Sequence, residues 1–95
     1  MKPFLWDPEK NEWLKRERGV SFEQVVLQIE QGDLLDILEH PNPQKYPDQR
    51  ILVVRVEDYV YLVPCLEMEG GVMLKTIIPS RKLTKQYPLK RSNNG

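Results

Sequence analysis

The sequence predicts an α+β fold in which two N-terminal helices pack on an antiparallel sheet of about four strands, with a short C-terminal helix. Two segments with helix-capping residues open the chain, segments rich in β-branched and aromatic residues follow, and a serine-capped basic segment comes near the end. Helices grouped ahead of strands joined by tight turns favour an antiparallel meander over a parallel βαβ sheet. We expect one domain over residues 1–88 and a flexible tail over 89–95.

The two helices are predicted from their ends. Asp7 accepts a backbone N–H as the N-cap of the first helix, Pro8 has its φ angle preset for the first turn, and Gly19 ends the helix. Ser21 begins the second helix, and Gln24 completes a capping box there. This helix carries an amphipathic stripe, which consists of Phe22, Val25, Val26 and Ile29.

The shorter elements are predicted from apolar runs and their boundaries. Residues 4–6 form an edge strand or an extended lead-in, and residues 33–38 form either a strand, which we favour, or more helix. The loop 39–49 holds three prolines, so we expect no element to cross it. After a Gly-Gly turn, 72–78 is the last strand, and a serine cap then starts a basic helix over 81–87.

A hairpin is predicted in the second half of the chain. Residues 50–56 and 59–66 are rich in β-branched and aromatic side chains and are separated by two residues. Pro64 lacks an N–H donor, so we expect a bulge or an exposed edge beside it. A two-residue turn gives the pairs Val56–Tyr59, Val54–Tyr61 and Leu52–Val63.

Several classes of protein are excluded by composition. The single cysteine, Cys65, has no partner for an internal disulfide, and one cysteine with one histidine does not supply a Cys/His zinc site. No apolar run approaches the roughly 20 residues of a membrane-spanning helix. Residues 1–7 show no secretory signal pattern. We therefore expect a cytoplasmic protein that has no membrane partner and uses no cofactor.

The net charge of zero hides an asymmetry along the chain. Residues 1–70 carry 8 basic and 14 acidic side chains, a net charge of −6, whereas residues 71–95 carry 6 basic and no acidic ones. This division favours a polyanion or an acidic partner at the C-terminal end, or else a solvated basic helix and tail with no specific partner.

Two clusters of ionisable residues suggest a site. The cluster Asp33, Asp36, Glu39 and His40 is either a metal site or, as we favour, a set of polar positions between apolar ones. The second cluster is basic: two cations open the last helix, where N–H groups and the helix dipole favour anions, and guanidinium groups on the central strand suit phosphate. Its members are Arg81, Lys82, Lys75, Arg50 and Arg55.

Five segments together resemble the BrnT family of toxins from bacterial type II toxin–antitoxin systems. The chain shows FLWDPEKN at 4–11, GVSFE at 19–23, an arginine at 50 before an apolar strand, IIPSRK at 77–82, and Tyr87. Asp7 and Lys10 match the family's opening motif. The resemblance covers about residues 4–87. The chain differs where the family often has histidine before the glycine, since Arg18 stands there.

The resemblance implies a RelE-like fold and a metal-independent endoribonuclease that inhibits translation. It also implies a cognate antitoxin with a ribbon–helix–helix or similar DNA-binding part, so that DNA is bound only through the antitoxin. The residues expected to be catalytic are Arg50, Arg81, Lys82 and Tyr87. The residues expected to bind substrate are Lys10, Lys75, Arg55 and Lys85. No metal ligand is expected.

The expected roles follow the chemistry of RNA cleavage. Arg50 and Arg81 stabilise charge on the phosphate, and Lys82 positions the RNA backbone. Tyr87 or Lys10 handles protons, with His40 as second choice because no motif includes it. Tyr87 has other interpretations as well: it stacks on a base, or it packs its ring on the sheet.

Two alternatives of other classes stay open. The first is a non-catalytic module that binds an antitoxin, another protein or nucleic acid; zero net charge favours it, since ribonucleases usually carry a positive excess to hold RNA. The second is an enzyme that uses the acidic cluster with a metal. A small adjacent reading frame for a DNA-binding protein would favour the toxin.

Overall fold

The computed structural model describes residues 2–88, so the predicted tail at 89–95 lies outside the described residues. Within this range it contains three helices and six strands, and no helix that is both long and apolar enough to cross a bilayer. The elements are, in chain order, β1 (Phe4–Leu5), α1 (Pro8–Arg18), α2 (Phe22–Glu30), β2 (Leu34–Glu39), β3 (Gln49–Val56), β4 (Tyr59–Met68), β5 (Gly71–Leu74), β6 (Ile78–Pro79) and α3 (Arg81–Gln86).

The strands form one mixed sheet in the order β1-β5-β4-β3-β2, with β6 also paired to β4. The α+β class is confirmed, but the sheet has six strands instead of about four and is not purely antiparallel, because β1 runs parallel to β5. Gly71 permits this pairing. The N–H of Val72 donates to the carbonyl of Pro3 at 2.8 Å, and a Cβ on Gly71 would lie only 2.6 Å from the same oxygen.

The predicted last strand, 72–78, is interrupted. β5 ends at Leu74, Lys75 follows directly, and β6 begins only at Ile78. The N–H of Lys75 donates to the carbonyl of Pro64 at 2.8 Å, so the backbone polar groups of Pro64 face β5 and β6. Proline has no N–H to donate on that side. The irregularity expected at Pro64 therefore falls in the neighbouring strand, while β4 pairs with β3 without a break.

The helix ends and the hairpin agree with the sequence. Asp7 accepts from the N–H of Glu9, both bonds of the Ser21–Gln24 capping box are present, and Gly19 ends α1 in the left-handed conformation. α3 ends one residue earlier than predicted. The strand favoured over helix for 33–38 is confirmed as β2. The register of the hairpin is the predicted one, with Val56 opposite Tyr59, Val54 opposite Tyr61, and Leu52 opposite Val63.

The two sides of the sheet are covered unequally. α1 and α2 cover one side, here called the helix face, and enclose the main hydrophobic core. The other side, the open face, is covered only at its hairpin end, where the N–H of Val60 donates to Thr84 of α3 at 2.9 Å. The core combines Leu14, Val20, Phe22 and Val25 from the helical half with Leu52, Val54, Val56, Val63, Cys65, Leu74 and Ile77 from the strand half.

A buried asparagine holds the corner between α1 and α2. Asn11 is 3% exposed; its Oδ1 accepts from the N–H of Phe22 at 2.8 Å, and its Nδ2 donates to Glu23 at 2.8 Å. The bond from Asn11 lowers the pKa of the Glu23 carboxyl. The stability that this hydrogen bond contributes is therefore present at pH values above the ordinary pKa of glutamate. It is lost as the pH falls through the lowered pKa of Glu23.

We predict that Asn11→Ala destabilises the fold by about 1–3 kcal/mol, because the N–H of Phe22 is left buried without an acceptor. The free energy of unfolding is measured by urea titration at neutral pH. Glu12→Ala on the exposed side of the same helix is the control and leaves it nearly unchanged, since Glu12 makes only an exposed ion pair with Lys15. Equal stability of the two variants would show that Asn11 does not support the corner.

Candidate functional site

A cleft of about 330 Å³ lies at the end of the sheet where β3 begins. Three of the residues that line it, Arg50, Lys75 and His40, carry groups that suit an anion. None of the described residues that line it is acidic, so its electrostatic field favours a negatively charged ligand. The other lining residues are Pro41, Gln49, Ile51, Pro64, Cys65 and Leu66.

Arg50 is positioned by the central strands. It lies opposite Glu39 of β2 and Cys65 of β4 in the sheet register, and it also lines a second cleft on the helix face, together with Asp48 and Glu67. Its Nη1 donates to the carbonyl of Pro47 at 3.3 Å. Within residues 2–88 no carboxylate oxygen comes within 4.0 Å of its guanidinium, so that its charge is not neutralised by a close ion pair.

Lys75 reaches the cleft because β5 stops before it. Its backbone is tied to Pro64, and its exposed side chain lines the cleft beside Ile51 and Leu66, two residues of the open face. The described part of the chain offers no carboxylate within 4.0 Å of its ammonium. Arg50 and Lys75 thus border one small volume, and among the described residues neither makes an ion pair within 4.0 Å.

His40 is held in one tautomer by its own loop. Its Nδ1 accepts from the N–H of Asn42 at 3.0 Å, and its ring lies on Tyr46 with the ring centroids 4.4 Å apart. Because Nδ1 accepts, the proton of the neutral ring is on Nε2. His40 is one of the residues that line the cleft, and its Nδ1 is occupied by the N–H of Asn42.

The basic residues of α3 form a separate group near the hairpin end of the sheet. Arg81, Lys82 and Lys85 are exposed, and Tyr87 is half-buried at the end of the helix. The guanidinium of Arg55 donates to the carbonyl of Tyr87 at 2.9 Å and to that of Pro88 at 3.2 Å. Arg55 therefore anchors the end of α3 to the sheet.

The eight residues predicted for the site lie in three places. Along β4, Val60 contacts α3 and Cys65 lies opposite Arg50. These two positions are five residues apart, or about 17 Å along an extended strand. The cleft therefore unites Arg50 and Lys75, whereas α3 gathers the other cations. Lys10 belongs to neither group, since it lies on α1 with its ammonium 4.3 Å from the ring of Trp13.

Arg18, which stands where the family pattern has histidine, has a structural contact. Its guanidinium donates to the carbonyl of Ile77 and lies 5.2 Å from the centroid of the Trp13 ring. Ile77 is fully buried in the segment between β5 and β6. Arg18 thus joins the end of α1 to the interrupted strand.

The acidic cluster is not gathered around one point. Over residues 2–88, no three side chains of histidine, cysteine, aspartate or glutamate are close enough together to hold a metal ion. Asp36 instead bonds the N–H of Ile37 at 2.8 Å, and Asp33 accepts from Gln28 at 2.8 Å. The interpretation of these residues as polar positions between apolar ones fits their contacts.

The sequence did not reveal the residues that position His40. Asn42 and Tyr46 lie in the proline-rich loop, where no periodic pattern distinguishes a supporting residue from a solvated one. The one signal in the sequence for a support of His40 was an aromatic residue, Tyr46, close to this single histidine. Comparison with known proteins adds no further indication: no family model, no curated protein and no solved structure matches this chain.

Cys65 lies between the two clefts but is not an activated thiol. It is 6% exposed, and burial raises the pKa of its thiol. Because the thiolate is the reactive form, a raised pKa reduces reactivity at neutral pH. A structural thiol fits this environment.

We predict that a disulfide reagent modifies the native protein much more slowly than the urea-unfolded protein at the same pH. The burial of Cys65 and its raised pKa both act in this direction. Release of the coloured thiolate product is followed against time, with free cysteine as the reference. Equal modification rates of the native and the unfolded protein would mean that Cys65 is accessible and reactive in the folded protein.

Proposed function

We propose that this protein is the toxin of a type II toxin–antitoxin pair and a metal-independent endoribonuclease of RelE-like or BrnT-like fold. The observation that supports this best is the cleft of Arg50, Lys75 and His40, which has N–H donors and positive charge but no acidic lining. Such a site suits the negative charge that develops on phosphorus during RNA cleavage. The resemblance in sequence motifs supports the same class.

The proposed reaction is attack of an RNA 2′-oxygen on the adjacent phosphorus. The 2′-O–P bond forms and the P–O5′ bond breaks, which leaves a 2′,3′-cyclic phosphate and a 5′-hydroxyl end. The proton of the 2′-hydroxyl passes to solvent, and solvent supplies one to the leaving oxygen. Arg50 and Lys75 stabilise the equatorial oxygens, and Nε2 of His40 donates to one of them.

The cations of α3 have a different role in this proposal. Arg81, Lys82 and Lys85 bind the RNA backbone away from the reacting linkage, which adds affinity without sequence information. Tyr87 lies at the end of α3 and packs or stacks there. The family resemblance led us to expect that Arg81, Lys82 and Lys85 are catalytic or bind substrate. Here they are assigned to RNA binding, because none of them lines the cleft.

The cellular setting is also part of the proposal. The chain acts in the cytoplasm, cleaves RNA and thereby inhibits translation. A cognate antitoxin binds it, and that partner supplies any contact with DNA. No cofactor is assigned to the reaction.

We predict that Arg50→Ala lowers the rate of RNA cleavage by about 10²–10³-fold, the usual effect of removing one donor to a developing charge. Induced expression of wild type should stop growth and degrade RNA, and Arg50→Ala should do neither. Growth curves and gels of total RNA measure both. Arg16→Ala, an exposed change on α1, is the control and keeps full activity.

Arg81→Ala should behave differently from Arg50→Ala. It should weaken RNA binding and reduce the slope of log affinity against log salt by about 0.7, as for one lost contact to a single strand, while the cleavage rate at saturating RNA is retained. Intact RNA and normal growth with the wild-type chain would contradict the ribonuclease proposal and favour a binding module. Cleavage retained by Arg50→Ala would move the site away from the cleft.

A further inference from the structure

Four side chains form a compact block on the open face, at the end of the sheet that α3 does not cover. Ile51 lies opposite Pro64, and Gln49 lies opposite Leu66, on the neighbouring strands β3 and β4. Because side chains alternate between faces, these four lie on the side of the sheet opposite to the core residue Leu52. All four are half-buried and line the cleft. Three apolar side chains and one carboxamide therefore form a floor, here called the cleft floor.

Gln49 is the polar member of the cleft floor. Its backbone is held at the start of β3, where its N–H donates to the carbonyl of Tyr46 at 3.2 Å. Its carboxamide carries N–H donors and an acceptor oxygen side by side. Such a group pairs with the edge of a nucleobase, and glutamine pairs with adenine through N6 and N7. The cleft floor thus combines an apolar surface for a planar ring with a group that distinguishes one ring from another.

Lys75 supplies positive charge on the other side of the cleft floor. Its N–H donates to the carbonyl of Pro64 at 2.8 Å, which fixes its backbone beside β4. Its side chain is exposed and lines the same cleft. The strand that carries Gln49 and the strand that ends before Lys75 are two strand spacings apart, or about 10 Å. The carboxamide and the ammonium are therefore separated by apolar side chains.

A nucleotide has its chemical groups in the same order. Its base stacks on apolar side chains, the edge of the base forms hydrogen bonds, and its phosphate, at a distance from the base, suits an ammonium. No acidic side chain is among the described residues that line the cleft, so none of them repels the phosphate. Inorganic phosphate alone would use Lys75 and leave the apolar floor in contact with water. The volume of about 330 Å³ falls within the usual range for small ligands, about 300–1,000 Å³.

We propose that the cleft is a nucleotide subsite that selects adenine. The base lies on Ile51, Pro64 and Leu66, its edge bonds to Gln49, and its phosphate lies at Lys75. The inference rests on the proposed function in one respect, since the selected adenosine is then the nucleotide next to the cleaved linkage of the RNA. The same subsite binds free AMP, so that selection of the base is measurable without cleavage. Gln49 determines specificity and takes no part in the reaction.

The test is calorimetric titration of the chain with AMP, CMP, GMP, UMP and inorganic phosphate. AMP should bind about tenfold or more tightly than CMP or inorganic phosphate, the usual effect of one bidentate pairing with a base. Gln49→Leu should lower the affinity for AMP to that for CMP. Gln49→Glu should shift the preference towards CMP, because a carboxylate accepts from N4 of cytosine. Lys75→Ala should weaken the binding of all four nucleotides by a similar factor.

Gln44→Leu is the matched control for Gln49→Leu. Gln44 is an exposed glutamine of the loop that leads to β3, and it is not among the described residues that line the cleft. Its substitution should therefore leave every affinity unchanged. Urea titration of each variant separates loss of binding from loss of the fold. The proposal is overturned if AMP and CMP bind equally, if inorganic phosphate binds as tightly as AMP, or if Gln44→Leu and Gln49→Leu have the same effect.

Cleavage of RNA oligonucleotides that differ at one position separates this inference from the ribonuclease proposal. If both hold, wild type cleaves faster next to A than next to C, and the ratio of the two rates falls towards one in Gln49→Leu. If AMP is selected but no RNA is cleaved, the ribonuclease proposal fails and the nucleotide subsite stands. If RNA is cleaved without preference for a base and AMP is not selected, the subsite fails and the ribonuclease proposal stands.

Discussion

The register of the β3–β4 hairpin determines the arrangement of the rest of the molecule. Eight residue pairs join these strands, from Gln49–Leu66 to Val56–Tyr59. Because side chains alternate between faces, a shift of one residue would move every apolar side chain of the pair to the other face. The same register places Arg50 at the level of Cys65 and Val60 at the level of α3. Core, cleft and α3 thus depend on one set of backbone hydrogen bonds.

The helix face and the open face differ in how completely helices cover them. The helix face is closed by α1 and α2, whose corner is held by the bonds of Asn11 to Phe22 and Glu23. The open face carries apolar rows and cations but only α3 at one end. The cleft lies at the other end, where Lys75 emerges from the break opposite Pro64. The candidate site therefore lies where the sheet is irregular and its cover is incomplete.

Much of this fold could be predicted from local chemistry. The caps at Asp7 and Ser21 and the hairpin register follow from short-range patterns, which the sequence displays directly. The pairing of β1 with β5 could not be predicted, because two-residue strands carry no periodicity and the contact joins distant segments. The break after Leu74 was also missed, since it depends on Pro64 in the neighbouring strand. When a neighbouring strand causes such a break, the sequence of the broken strand itself shows no sign of it.

The candidate site was predictable only in part. Side-chain type and order suggested Arg50 and Lys75, but not that the sheet would separate them from Arg81 and Lys82. His40 was ranked low because its loop has no motif, yet that loop holds its ring against Tyr46 beside the two cations. The candidate site is defined by residues that are close together across the sheet, and sequence order alone does not show which residues are close.

The parallel pairing of β1 and β5 also affects the order of folding. Phe4 and Leu5 pair with Val72 and Met73, so the first strand of the chain pairs with the fifth. During synthesis the first strand therefore has no partner until residues 71–74 have emerged, although the α1–α2 corner can form much earlier. Contacts between distant segments close slowly. The edge of the sheet formed by β1 is thus completed late. Until then β5 has an unpaired edge that is open to association with other chains.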